Sequence, residues 1–264
     1  MLKGLYTAYT GMLNEQNRMD VLSNNLANTS TVGFKKEGTT SQGFDNVLAY
    51  RIKDLDGTGR WNDVNIGIGT PGVKIGENYV DYSQGAFRET GNTFDVALSG
   101  KGFFNIEFTN KAGETSTLYT RDGNFSLTKE GYLVTKDGDF VLGTNAGGAT
   151  AHIQLNPNLP ASIDQAGRIM QNNQVVANIK ITDFADYNYL ERYGENLFAP
   201  VEGASDIAPD VKVVSGYLEQ SNVQTVEEMV NLISITRQYE ANQKLIQTFD
   251  GSLDIAVNRI GKVQ

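Results

Sequence analysis

The last stretch of the chain, Ser221 to Val263, restricts the fold more than any other. It contains no Pro and only two Gly, Gly251 and, near its end, Gly261. Apolar residues recur at spacings of three and four: Met229, Leu232, Tyr239, Ile246, Leu253, Val257 and Ile260. Thr236, Gln243 and Asp250 are polar members of the same stripe. Val226, Val230, Ile233, Leu245, Phe249 and Ala256 form a second row beside it. This spacing predicts one long helix with a broad apolar face. Ser221 or Asn222 can cap it, and Thr225 followed by Glu228 reads as a capping box. Glu227 and Glu228 would then sit in the first turn, where the helix dipole favours negative charge. A helix of about forty residues is about 60 Å long. A compact domain of this length is only about 35 Å across. Something outside a single globule must therefore cover the stripe.

The opposite end carries a matching pattern. Leu2, Leu5, Tyr9, Met12, Met19, Leu22 and Leu26 form an apolar seam, with Gln16 as its polar member. A helix is predicted from Leu2 to about Ala27, ending near Asn24, Asn25 and Asn28. Two arrangements are open for these terminal helices. They pack on a central core, or they pair with each other and with further copies of the chain.

Composition narrows the class. The sequence has 264 residues, enough for one large or two modest domains, and 28 Gly against 5 Pro, which points to many turns and a largely β middle. Zero Cys excludes disulfides, thiolate catalysis and zinc–thiolate sites. A net charge of -9 argues against a nucleic-acid partner. No apolar run is long enough to insert in a membrane. Residues 1–20 carry Asn14, Glu15, Arg18 and Asp20 and so do not resemble a cleaved signal peptide.

Between the helices the period changes. Gly33 and Phe34 lie where the first helix gives way to an extended segment. Residues 37–72 are expected to be an extended linker, with the Gly-alternating run Ile66 to Gly72 offering little to pack. From residue 73 to 215 the pattern is β. Phe94, Val96 and Leu98 alternate with Asp95, Ala97 and Ser99. Turns at Asp122-Gly123-Asn124, Lys129-Glu130-Gly131 and Lys136-Asp137-Gly138 mark an antiparallel meander. The expected fold is thus α+β. Residues 1–36 and 216–264 form a terminal helical core domain of coiled-coil type, and residues 73–215 form an inserted, mainly antiparallel β domain.

Reactive chemistry finds little footing. His152 is the only histidine and has no nucleophile-elbow motif to serve. Asp54, Asp56, Thr58 and Gly59 fit the start of a calcium loop, but Asn65 stands where a bidentate Glu is required. Gly100-Lys101-Gly102 leads into strand-like Phe103-Phe104 rather than a helix, so it does not read as a phosphate loop. No catalytic residue, metal site or cofactor is expected.

Four blocks carry a family resemblance. They are Leu5 to Lys35 with its Leu22-Ser23-Asn24-Asn25-Leu26-Ala27-Asn28 core, Gly91 to Phe104, Tyr119 to Phe125, and Gly216 to Asn242. Together, in this order, they resemble the flagellar rod and hook proteins. The chain's length and single small β domain are similar to a basal-body rod member, the distal rod above all, with a proximal rod or hook-like member as the alternative. A secreted carbohydrate-active or binding β domain is the reading outside the family. The resemblance implies a structural subunit that forms a helical homopolymer and transmits torque. It implies other rod and hook proteins as partners, with bushing rings as further candidates. It also implies delivery by the flagellar type III export apparatus to the basal body, across the cytoplasmic membrane. The seam residues at both ends, Val226 and Ile233 included, are then the expected subunit-packing residues.

Overall fold

The computed structural model describes residues 2–53, 62–110, 113–144, 150–194 and 196–260. The chain forms two units. One comprises Met1–Ala27, Glu37–Asp81 and Gln224–Gln264, the other Asn28–Lys36 and Tyr82–Val223.

The first unit holds both helices. α1 spans Leu2–Ala27 and α2 spans Thr225–Ile255, continuing as a π turn over Ala256–Ile260. Between them in sequence come β1 (Glu37–Gly43), β2 (Val47–Lys53), β3 (Asn62–Gly69) and β4 (Val73–Val80). β1 pairs antiparallel with β4, and β2 with β3. α1 packs on α2 and also on β1 and β4. Its contact with the strands is polar. Asn14 Nδ2 donates to Ser41 Oγ at 2.9 Å, and Thr7 Oγ1 donates to the Pro71 carbonyl at 2.8 Å. Asn25, fully buried, donates to Glu37 O at 2.7 Å and accepts from Glu37 N at 2.9 Å. Its amide thus satisfies a strand end as another strand would. Against α2, Gly4 of α1 meets the Phe249 ring and Gly11 meets the Asn242 amide.

Among the described residues the second unit is β apart from one short 3-10 turn, Tyr187–Tyr189. Its strands are β5 (Phe87–Glu89), β6 (Val96–Gly100), β7 (Phe103–Thr109), β8 (Thr115–Thr120), β9 (Phe125–Leu127), β10 (Leu133–Thr135) and β11 (Phe140–Thr144). Then follow β12 (Thr150–His152), β13 (Ala161–Ile163), β14 (Arg168–Gln171), β15 (Gln174–Ile179), β16 (Ile181–Phe184), β17 (Leu190–Tyr193), β18 (Leu197–Pro200), β19 (Asp206–Ile207), β20 (Val211–Ser215) and β21 (Tyr217–Glu219). Thirteen of them make one antiparallel sheet with the path β13-β14-β15-β11-β7-β8-β18-β17; β20 pairs with β6 and β21 with β5. The expected meander is present as β9-β10-β11. A turn that the spacing of apolar residues does not mark joins β14 to β15. There Asn172 and Asn173 take φ values of 51 and 62, the left-handed region that Asn tolerates and that tight hairpins use.

β7 explains the unbroken Phe103-Phe104 run. Phe104 packs with Val96, Leu98, Phe125, Val141 and Ile153 in an aliphatic core. Phe103 points to the other face, within 5.4 to 6.3 Å of the rings of Phe198, Tyr187, Tyr82 and Phe184. A strand covered on both sides needs apolar residues at consecutive positions.

The expected class, an α+β fold with long helices forming a coiled-coil-like core and a β domain inserted in it, is not the one adopted. Among the described residues the chain is mostly β, a thirteen-stranded antiparallel sheet with two helices, α1 and α2. The reason lies partly in residues 37–80. β1 there has no apolar residue, and in β3 the alternating Val64, Ile66 and Ile68 are spaced by Asn65 and Gly67, so the stretch reads as a Gly-rich linker. The capping box also falls elsewhere. Gln224 is the N-cap and makes no side-chain cap bond, which leaves Thr225 as the first helical residue.

Gly123 sits against β6, and a Cβ there would lie 1.6 Å from the Val96 carbonyl oxygen. Val96 N donates to Gly123 O at 2.9 Å, so the two backbones cannot separate without breaking the turn. Gly123→Ala is expected to lower stability by about 3 kcal/mol. Urea unfolding followed by circular dichroism would check this.

Candidate functional site

Two features stand out: a buried charge cluster in the β unit and an open apolar surface on the helical unit.

The charge cluster is centred on Glu219, at the end of β21. Its Oε1 accepts from Lys35 Nζ at 2.6 Å and from Gly85 N at 3.0 Å, and its Oε2 accepts from Arg121 Nη1 at 3.1 Å. All three side chains are 4% exposed or less, so each charge depends on the others. Lys35 also donates to Ser83 O at 2.8 Å, while Arg121 reaches the carbonyls of Gly100 at 2.5 Å and Leu98 at 3.3 Å. Arg121 lies over the Phe103 ring at 5.6 Å, and its Nε is buried without a hydrogen-bond partner. Backbone bonds run alongside. Gly33 N donates to Glu219 O at 2.8 Å, Gln220 N to Ala86 O at 2.8 Å, and Lys36 N to Asn222 Oδ1 at 2.7 Å. Gly33 has φ +70, and a Cβ on it would meet the Arg121 carbonyl carbon at 2.6 Å, so only Gly fits this crossing. Phe34 is buried beneath the Arg192 guanidinium, 4.3 Å from its ring. Asn28 accepts from Thr31 Oγ1 at 3.0 Å, which turns the chain into this segment. Asn24 is exposed. The cluster therefore ties together the three segments through which the chain enters and leaves the β unit.

On the helical unit the inward stripe of α2 is Leu232, Ile235, Tyr239, Asn242, Ile246, Phe249 and Leu253, each buried or half-buried. It is shifted by one residue from the expected stripe at three positions, with Ile235, Asn242 and Phe249 in place of Thr236, Gln243 and Asp250. Leu5, Met12, Met19, Leu22 and Leu26 are half-buried on α1, whereas Tyr9 is exposed. Leu2 lies in α1 and Ile260 in the π turn after α2. Val226, Val230, Ile233 and Val257 face solvent with exposures of 77%, 60%, 55% and 68%, and Met229 and Leu245 are exposed beside them. They leave an exposed apolar row along the helix and the turn that follows it. A groove of about 890 Å³ opens on the same unit, lined among others by Leu5, Tyr6, Tyr9, Val47, Pro71 and Ile246.

His152 closes the short strand β12, with Nε2 3.2 Å from Glu107 Oε2 and its ring stacked on Phe140 at 4.5 Å. These contacts account for it as a strand residue. The calcium-like frame at Asp54 to Gly59 lies outside the described residues. No group of three or more potential metal ligands occurs among the described residues.

Comparison with known proteins identifies the class. A family described as flagella basal body rod protein matches residues 5–35. One described as the flagellar hook protein FlgE/F/G D1 domain matches residues 97–182, and one described as the flagellar basal body rod FlgEFG protein C-terminal matches residues 214–259. The chain is 32% identical over 267 residues to flagellar basal-body rod protein FlgF of Mesorhizobium japonicum, covering 99% of both chains. It is 33% identical over 276 residues to FlgG of Bacillus subtilis, covering 98% of this chain and 99% of that one. To FlgG of Agrobacterium fabrum it is 35% identical over 267 residues, covering 94% and 96%. The chain belongs to the flagellar basal-body rod protein family. It is a structural subunit of the basal body that assembles with other rod and hook proteins, and not an enzyme.

Removing the Glu219 carboxylate strands two buried cations. Glu219→Ala is expected to cost about 3–5 kcal/mol, read as a fall in the denaturation midpoint. Asp122 behaves differently. Burial is the main cause that pushes its carboxyl up to about 6, opposed by the Asn124 backbone N–H that donates to it at 2.9 Å. Its folded pKa lies above the unfolded one, so the fold favours the protonated form. Stability contributed by that form is present at low pH and is lost as pH rises through about 6. Asp122→Asn is therefore expected to stabilise the protein at pH 7 by about 1–3 kcal/mol. The gap should close towards pH 4 in melting curves taken across that range.

Proposed function

We propose that this chain is a distal rod subunit, of the FlgG-like kind, which polymerises with itself into a helical tube carrying torque from the motor to the hook. It is delivered by the flagellar type III export apparatus, and a bushing ring is an outer neighbour of the tube. The observation that supports this reading is the outward apolar face of α2. Val226, Met229, Val230 and Ile233 stand exposed along it, and Val257 is exposed in the π turn that follows. Such a face is stabilised when neighbouring copies cover it, each buried aliphatic side chain contributing about 1.5–3 kcal/mol. Of the residues expected to pack between subunits, Val226, Met229, Ile233 and Val257 are assigned to contacts between copies. Leu5, Met12, Met19, Leu22, Leu26, Leu232, Tyr239, Ile246 and Leu253 support them from within, as the half-buried residues of α1 and α2. A proximal, FlgF-like position in the rod is the second reading, favoured by the FlgF relative that matches from end to end.

The double variant Val230→Asp, Ile233→Asp tests the proposal. Both side chains are exposed, so the isolated protein should keep its helix content and melt within about 0.5 kcal/mol of the parent. Cells carrying the variant should fail to swim in soft agar. Normal swimming would remove the outward face of α2 from the assembly.

A further inference from the structure

We propose that the groove beside the start of α1 receives the first half of α2 from a second copy of this chain. The inference rests on the reading of the chain as a polymerising subunit and adds which surfaces meet. The groove has about 890 Å³ of space, within the roughly 300–1,000 Å³ range in which a partner group becomes well enclosed. Its walls are aliphatic and aromatic. Tyr6, Tyr9 and Val47, which line it, are each about half exposed, at 52%, 48% and 57%. Such a groove takes an amphipathic helix whose anchors recur at three- and four-residue spacing. The chain itself carries one. Val226, Val230 and Ile233 stand out from α2 at that spacing, with Met229 beside them.

This ridge cannot fill the groove of its own molecule. Ile246, in the groove wall, lies sixteen residues along the same helix from Val230, about 24 Å away at 1.5 Å per residue. Another molecule must supply the ridge. Charge favours a copy of this chain as that molecule. Lys3 is the one charged residue among the described lining residues of the groove, and Glu227 is exposed in the first turn of α2 beside the ridge. Groove and ridge are different patches, so a contact made in one direction leaves a free groove at one end and a free ridge at the other, whereas a reciprocal pair would stop at a dimer band. A copy with its groove filled still offers a ridge, and the contact propagates into an open series.

The absence of Cys from the sequence makes engineered thiols a clean reporter. Basal bodies assembled from the full-length Tyr6→Cys, Val230→Cys variant are oxidised and run on a non-reducing gel. A ladder of disulfide-linked multimers is expected, collapsing to monomer on reduction. Val47→Cys with Val230→Cys supplies a second groove position should Tyr6→Cys prevent assembly. Ser126→Cys with Val230→Cys, which places one thiol at an exposed position of β9, should give no ladder. Assembled rods without a ladder from either groove pair, or with an equal ladder from the Ser126 pair, would overturn the groove seat and leave polymerisation intact. Linkage of Val230→Cys to a different rod or hook protein in place of a copy would overturn the choice of occupant. Basal bodies that contain none of this chain would remove the polymerisation reading, and this one with it.

Discussion

The Glu219 carboxylate is the interaction on which the β unit's boundary depends. An isolated buried carboxylate costs several kcal/mol of lost hydration, and two buried cations cost more. Here the three charges offset one another, and carbonyls of Ser83, Leu98 and Gly100 accept further N–H groups of the two cations, the Arg121 Nε excepted. The partners come from segments far apart in sequence, Lys35 at 184 residues from Glu219 and Arg121 at 98. Each charge falls in a different one of the three matched family segments, 5–35, 97–182 and 214–259. A single cluster therefore couples three segments far apart in sequence, two of which also meet where β20 pairs with β6. Its geometry also makes partial substitution costly, since any one missing member leaves the others buried and unbalanced.

The two units solve the burial problem in different ways. In the β unit the sheet has an aliphatic core on one side of β7 and an aromatic cluster on the other, so its central strands are covered within the unit. In the helical unit α1 is bound to strands by the buried polar side chains of Asn14 and Asn25 rather than by a continuous apolar seam. Hydrogen bonds of this kind fix position but contribute only about 0.5–1.5 kcal/mol each. The apolar surface that would add more is left on the outside of α2. The proposed assembly gives a physical reason for this division, since the closed β unit is covered within itself while the apolar row of α2 would be covered by neighbouring copies.

Much of this was visible in the sequence. The helices, the β9-β10-β11 meander and its turns follow from apolar spacing and Gly placement, and the family blocks follow from short motifs. The fold class did not, because β1 has no apolar residue and the alternating Val64, Ile66 and Ile68 of β3 are separated by Asn and Gly, so residues 37–72 read as a linker. The charge cluster was hidden for another reason. Lys35, Arg121 and Glu219 look like ordinary surface charges until the fold brings them together, and no spacing rule links positions so distant. Gly33 and Phe34 did signal a change of structure, yet their roles emerge only beside Arg121 and Arg192.

The faces of α2 show the limit of periodicity most clearly. Two apolar rows run along this helix, and spacing alone ranks them equally. The first row included Met229 and Val257, which are exposed, and omitted Asn242, which packs against Gly11 of α1. In a protein that folds alone, the more apolar row is the buried one, since exposure of the other costs less. That inference fails in a chain meant to be covered by others. An inward Asn242 and an outward Val230 are consistent once both faces are destined for burial, one within the molecule and one between molecules. Hydrophobic pattern then counts how many faces will be buried, while the identity of what buries each depends on small residues such as Gly4 and Gly11, which set where a partner helix can approach.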